Sequence, residues 1–169
     1  MLFRSAIDEI RVDAYGTAVF MMGADASRWA PANRETADHS LPYCIAVALL
    51  DGAVTNASFA AARLRDPAIA AIMPKVKVAE DKLLSSQYPE GAPGRVSIRM
   101  KTGETHALEI RYPKGHEKNP MSDADIEAKF HDLCGGRLDA ARRKKALSVL
   151  WQLEKVTDTA SVTKLFAVS

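Results

Sequence analysis

The 169-residue chain is 47% hydrophobic and 26% charged, the composition of an ordinary folded domain, which excludes intrinsic disorder, collagen-like repeats and a disulfide scaffold. Its 23 basic and 21 acidic residues leave a net charge of +2, so no global field marks a nucleic-acid binder. The longest apolar run, Cys44 to Leu50, falls far short of the roughly 18 to 20 residues of a membrane span, and Cys44 and Cys134 lack CxxC spacing and point to a reducing compartment.

Met1–Ser5 carries only a brief apolar stretch, with no h-region or cleavage site after it, unlike a secretory leader. Apolar and polar residues alternate from Ile10 to Tyr15 and predict a strand, with Ile7 out of phase with Ile10. Gly23 to Arg34 is polar, holds Pro31 and reads as a loop. Ser40-Leu41-Pro42 is a helix start, and Pro42 to Leu50 is apolar nearly all round, as a buried helix is. A short helix is expected within Val54–Leu64, capped near Thr55 or Asn56, and another between Asp66-Pro67 and Pro74. Val76–Val78 is a short strand, and Gly91 to Gly94 a loop.

A hairpin follows. Val96, Ile98 and Met100 alternate with polar residues, Lys101-Thr-Gly103 turns the chain, and His106, Leu108 and Ile110 continue the apolar face. On that pattern His106 is a core histidine. After Tyr112-Pro113 the character changes to helix. Ser122-Asp-Ala-Asp125 resembles a capping box ahead of Ile126, Phe130 and Leu133, and Gly135-Gly136 ends that helix. Arg137 to Lys155 is a second helix, and Asp158 caps a last one reaching Phe166. The fold class is therefore α+β: a small antiparallel sheet packed with helices, over residues 6–118, then a helical extension over 119–169. The stripes of that extension need a partner surface.

The four histidines, His39, His106, His116 and His131, make no His-x-x-x-His pair, and neither cysteine sits at a ligand spacing, so no metal site is expected. No phosphate loop is present. Cys44 reads as a small buried hydrophobe, and Arg142-Arg-Lys-Lys145 as a solvated basic face. Two polar clusters could carry chemistry. The first, Arg34 to Tyr43, crowds Arg34, Asp38, His39 and Ser40 at a helix start, where orphan N–H groups favour an anion. Arg34 would clamp a carboxylate, and Tyr43 would bring a phenol to a reacting centre. The plainer reading is that Asp38 and Ser40 cap, Arg34 pairs with Glu35, and Tyr43 is core. The second cluster, Tyr112 to Pro120, is made basic by Lys114, His116 and Lys118; plainly read, it is a solvated linker.

At these clusters the chain resembles the MmgE/PrpD family. The likeness rests on Arg34-Glu-Thr-Ala-Asp-His-Ser-Leu-Pro-Tyr43 with Ala48-Leu-Leu-Asp-Gly52, and then, in order, on Arg63-Leu-Arg-Asp-Pro67, Lys75-Val-Lys-Val78, Tyr112-Pro-Lys-Gly-His116 and Asn119-Pro-Met-Ser122. It runs from about Ile10 to Lys155. The resemblance implies a lid domain followed by helices that return to a larger N-terminal helical domain absent from this chain, with the active site between the two domains. It implies a cytoplasmic, homodimeric hydro-lyase of the 2-methylcitrate dehydratase type, acting on a small di- or tricarboxylate in propionate catabolism, with no metal or other cofactor and with neither nucleic acid nor membrane as partner. Tyr43 falls at the lid's catalytic tyrosine. Arg34, His39, Lys114 and His116 are motif positions whose charge assigns them to substrate binding. Within the same family the reaction could instead be decarboxylation or epimerisation. Outside it stand a carboxylate-binding or dimerisation module without catalysis, and a gene fragment without function. The isolated chain is expected to be inactive, since the family's other acid–base residues lie upstream.

Overall fold

The computed structural model describes residues 5–167. The segment 1–4, most of the stretch read above as no leader, and residues 168–169 at the end of the helical extension lie outside the described residues. The chain divides into two compact units, Met1–Pro113 and Lys114–Ser169.

The first unit is a four-stranded mixed sheet with helices, an α+β fold. Strand β1 (Ile7–Ala14) is central, followed by β2 (Val76–Glu80), β3 (Gly94–Met100) and β4 (Thr105–Ile110), in the spatial order β2-β1-β3-β4. β1 pairs antiparallel with β3, and β3 with β4, but β1 and β2 are parallel, which corrects the wholly antiparallel sheet expected from the hairpin. The reason lies in the connection: a long helical crossover, not a turn, joins β1 to β2, and only such a crossover can bring the next strand back in the same direction.

β1 also begins earlier than its alternation suggested. The register slips between Ile7 and Glu9, an extra residue that turns both Ile7 and Ile10 inward although their spacing is wrong for a flat strand; both are fully buried. The crossover holds α1 (Gly16–Met22), α2 (Arg34–Asp38), α3 (Leu41–Asp51), α4 (Ala61–Leu64) and α5 (Pro67–Ile72), with short 3-10 turns at Ala26–Arg28, Asn56–Phe59 and Met73–Lys75. α1 has no side-chain cap, so no capping residue marks its start in the sequence. α3 matches its sequence signals: the Ser40 hydroxyl accepts the Tyr43 amide at 3.1 Å, Pro42 sits in the first turn, and Gly52, at φ 78°, closes the end on the Ala48 carbonyl. Tyr43, Ala46 and Val47 of α3 join Ile10, Val12, Val76, Ile69, Ile72 and Met73 in the core.

These helices pack on β1 and β2, so the apolar face runs out of cover at β4. Every residue of β4 is exposed, Leu108 at 67%. His106 is therefore no core histidine: it lies on the open edge strand, 3.2 Å from the Glu104 carboxylate. On the polar face, buried Asp13 is held by Arg11 at 2.8 Å and by Arg95 at 3.3 Å.

A short helix, α6 (Lys82–Ser85), links β2 to β3 in the first unit; in the second unit Ser122 opens α7 (Asp123–Cys134) with a complete capping box. α8 (Ala140–Leu150) is shorter at both ends than expected. Asp139 takes the Arg142 amide at 2.8 Å and fixes the start, while a 3-10 turn, Leu153–Lys155, follows the end. A final helix, α9 (Thr159–Lys164), starts at Asp158. Half of the basic run is tied down, since Arg143 donates to the Gly135 and Leu138 carbonyls and Arg142 to those of Leu165 and Ala167, while Lys144 and Lys145 form the exposed basic face expected of it. Ile126 and Leu133 of the α7 stripe are 41% and 50% exposed. Among the described residues no helix is long and apolar enough to cross a membrane.

Candidate active site

The 33–43 segment is two helix starts in succession. Asn33 caps α2 by accepting the Thr36 amide at 2.9 Å, and Ser40 caps α3. His39 lies between them, at the C-cap of α2. Its Nδ1 is 2.6 Å from Asp38 Oδ1 and 3.0 Å from the Glu35 carbonyl oxygen. Both neighbours are acceptors, so Nδ1 carries the proton and the neutral ring presents Nε2 as a base. Nε2 has no hydrogen-bond partner among the described residues. The Glu35 carbonyl first, then the Asp38 carboxylate, raise the imidazole pKa above its usual value.

The exposed imidazole borders an open cleft of about 480 Å³, whose other lining residues are Phe20, Met21, Ala24, Asp25 and Arg28. Phe20 and Met21 come from the end of α1, with Phe20 76% exposed. Arg28 ends the 3-10 turn Ala26–Arg28, which Asp25 caps by accepting the Ser27 amide at 2.7 Å. The Ser40 hydroxyl donates to the Arg28 carbonyl, so the cap of α3 ties the Arg28 turn beside His39. The Arg28 Nε is buried and has no hydrogen-bond partner among the described residues. Sequence reasoning missed Arg28, because it sits in a stretch read as loop and reaches the site only through the Ser40 tether.

The other expected site residues do not line this cleft. Tyr43 is 1% exposed, and its hydroxyl donates to the Ser58 carbonyl at 2.6 Å. Burial raises its phenol pKa. The ring lies 6.0 Å from that of Phe59 and lines a separate apolar cavity of about 580 Å³ with Trp29, Leu64, Ile69 and Met73. Arg34 does not pair with Glu35 as its plainer reading held. It donates to Asn56 Oδ1 at 2.7 Å and stands 5.9 Å over the Phe59 ring.

Lys114 and His116 belong to the second unit. Lys114 Nζ is 2.8 Å from Asp125 Oδ2, within the capping box of α7, and this contact with the Ser122 bonds holds the Asp125 carboxyl well below the usual carboxylate range. His116 Nδ1 accepts the Lys118 amide at 3.1 Å, in a tight loop closed by Gly115 N–H to the Asn119 carbonyl, where Gly115 takes φ 96°. Burial pushes the Cys44 thiol up to about 11, consistent with a hydrophobe and not a nucleophile. Among the described residues no three His, Cys, Asp or Glu side chains gather as a metal site would require.

Similarity to known proteins runs over most of the chain. It is 26% identical to mouse (Mus musculus) cis-aconitate decarboxylase over 141 residues, and 25% identical to the human (Homo sapiens) enzyme over 142. Each match covers 80% of this chain and 28% of the relative. It is also 30% identical over 119 residues to the mitochondrial 2-methylcitrate dehydratase of Yarrowia lipolytica, covering 66% of this chain and 22% of that protein. The chain thus spans less than a third of the length of these relatives. The family described as MmgE/PrpD C-terminal domain matches residues 4–154. By that match the chain belongs to the MmgE/PrpD family, and what it carries is the family's C-terminal domain.

Proposed function

We propose that the chain is the C-terminal part of a carbon–oxygen lyase of the 2-methylcitrate dehydratase type, acting on a small di- or tricarboxylate. The observation that carries this reading is the His39 cleft: an imidazole fixed by Asp38, with Nε2 open, next to an arginine. Dehydration breaks a carbon–hydrogen and a carbon–oxygen bond, forms a carbon–carbon double bond and releases water. It requires a base for the carbon-bound proton, an acid for the departing hydroxyl, and cations for the carboxylates. His39 supplies one proton-transfer group. Tyr43 is the second in this reading, and the remaining acid–base groups are assigned to the rest of the parent protein, a helical N-terminal domain, with which the chain would act as a cytoplasmic homodimer in propionate catabolism, without metal or organic cofactor.

Arg34, Lys114 and His116 enter this proposal as carboxylate-binding positions on their charge and motif place. Tyr43 enters it as the lid's phenol. To give up a proton to substrate, its hydroxyl must exchange the Ser58 carbonyl for a substrate oxygen. A second reading, decarboxylation, is favoured by the two cis-aconitate decarboxylase relatives. There a carbon–carbon bond to a carboxylate breaks, carbon dioxide leaves and a proton is delivered to carbon, which the same imidazole can do.

The test is turnover by this chain alone and joined to the helical domain of its parent. The joined protein should convert 2-methylcitrate to the unsaturated acid, and His39→Gln should lower kcat by about 10²-fold or more. Turnover by the isolated chain would overturn the reading that it is a part. Carbon dioxide release from cis-aconitate, with no dehydration of 2-methylcitrate, would replace the first reading with the second.

A further inference from the structure

The His39 cleft holds two features that acid–base chemistry does not explain. One is Arg28. Its backbone is fixed twice, by the 3-10 turn that Asp25 caps and by the Ser40 hydroxyl on its carbonyl. Its guanidinium nonetheless makes no hydrogen bond or ion pair with any described residue, and Nε is buried without a partner. A buried, unpartnered donor on a charged group is costly, and a bound anion removes that cost. The neighbouring acid is only a partial partner: the Ser27 side chain and amide, with a smaller Coulombic contribution from Arg28, hold the Asp25 carboxyl low, but Asp25 accepts no hydrogen bond from the guanidinium. A planar guanidinium set on a short rigid turn is suited to a carboxylate, which it can grip with two N–H groups at once.

The second feature is the wall facing it. Phe20 and Met21 project from the end of α1 into solvent, 76% and 51% exposed, yet line the same cleft as His39 and Arg28. Exposed single apolar residues are ordinary. A phenyl ring and a thioether side by side, next to an unpartnered cation and an open imidazole, form a mixed surface. Such a surface fits a ligand that has both a carboxylate and a small alkyl group.

We propose that Arg28 binds a substrate carboxylate in the His39 cleft, and that Phe20 and Met21 receive an alkyl branch of the same molecule, so the site selects alkyl-substituted polycarboxylates over unsubstituted ones. This rests on the reading of the His39 cleft as the substrate site. It assigns Arg28, and not Arg34, as the carboxylate clamp of that cleft, since Arg34 is engaged by Asn56 and Phe59. The Phe20–Met21 surface is a specificity element with no part in proton transfer.

The 169-residue chain is titrated with 2-methylcitrate and with citrate, which differ by one methyl group, by calorimetry and by the NMR signals of the His39 ring. The unaltered chain should bind 2-methylcitrate about fourfold more tightly, the worth of one buried methyl. Arg28→Gln should weaken both ligands about tenfold or more, and Arg28→Lys should restore part of that loss, keeping charge without the fork. Phe20→Ser with Met21→Ser should bring 2-methylcitrate down to citrate and leave citrate unchanged. If the His39 signals move on titration but Arg28→Gln binds as before, the Arg28 assignment is wrong and the cleft reading stands. If the His39 signals do not move with either ligand, both are overturned. Equal affinities for the two ligands in the unaltered chain would remove the alkyl wall alone.

Discussion

Removing one oxygen from Tyr43 separates the two roles that its position allows. In the structure the hydroxyl donates to the Ser58 carbonyl at 2.6 Å, and both residues lie in the core. Tyr43→Phe deletes the donor, keeps the ring on Phe59, and leaves a buried carbonyl with one partner fewer. An unsatisfied buried group of this kind costs about 1–3 kcal/mol. For a chain of this size that is a fall in Tm of about 2–4 °C per kcal/mol. The assay is the urea midpoint of the purified chain, at constant slope, so that the change reports stability and not compactness. In the joined protein a purely structural tyrosine would leave kcat close to unchanged. A tyrosine that trades Ser58 for substrate in the reaction would lower kcat by about 10²-fold while the fold survives. A midpoint that does not move would refute the bond to Ser58 as a source of stability. A stability loss with full turnover would remove Tyr43 from the proposed chemistry and leave the proton transfer to His39.

The remaining predictions concern groups whose protonation or capping the structure fixes. Asp38→Asn should lower the His39 pKa towards its ordinary value, read by NMR titration of the ring; because the folded pKa is raised, the stability tied to protonated His39 is present below the unfolded pKa and is lost as pH rises through the folded one. Cys44, with a thiol pushed up to about 11, should resist alkylation by iodoacetamide at neutral pH and react only once urea unfolds the chain. Ser122→Ala should cost about 1 kcal/mol by breaking the capping box of α7, measured as lost helical circular dichroism and a lower unfolding midpoint.

What could be read in advance was chemistry confined to a few neighbouring residues. Ser40 with Pro42 declares the start of α3, Gly103 the hairpin turn and Ser122 with Asp125 the start of α7, because each signal and its partner lie within one turn of chain. What could not be read depends on distant backbone. Ile7 looks misplaced until a slip of register against β3 turns it inward, and β2 looks like one more hairpin strand until the crossover sets its direction. The exposure of His106 and Leu108 follows from where the helices stop, which alternation along β4 does not encode.

The site shows the same division at closer range. His39 and Tyr43 stand four residues apart in a single motif, and from sequence they read as one constellation. The Ser40 cap between them divides that constellation. Up to Ser40 the chain is finishing α2 and leaves its last residue exposed at a C-cap; after Ser40 it enters α3, whose third residue already faces the core. His39 is thereby delivered to the open cleft and Tyr43 to the Ser58 carbonyl. The same serine then brings in Arg28, a residue from outside the motif, by donating to its carbonyl. A helix cap is usually assigned a stability role of about 1 kcal/mol. Here its hydroxyl also decides which charged groups share a cleft, so Ser40→Ala should disturb ligand binding through Arg28 more than the loss of one cap would suggest, whereas Ser40→Thr, which keeps the hydroxyl, should not.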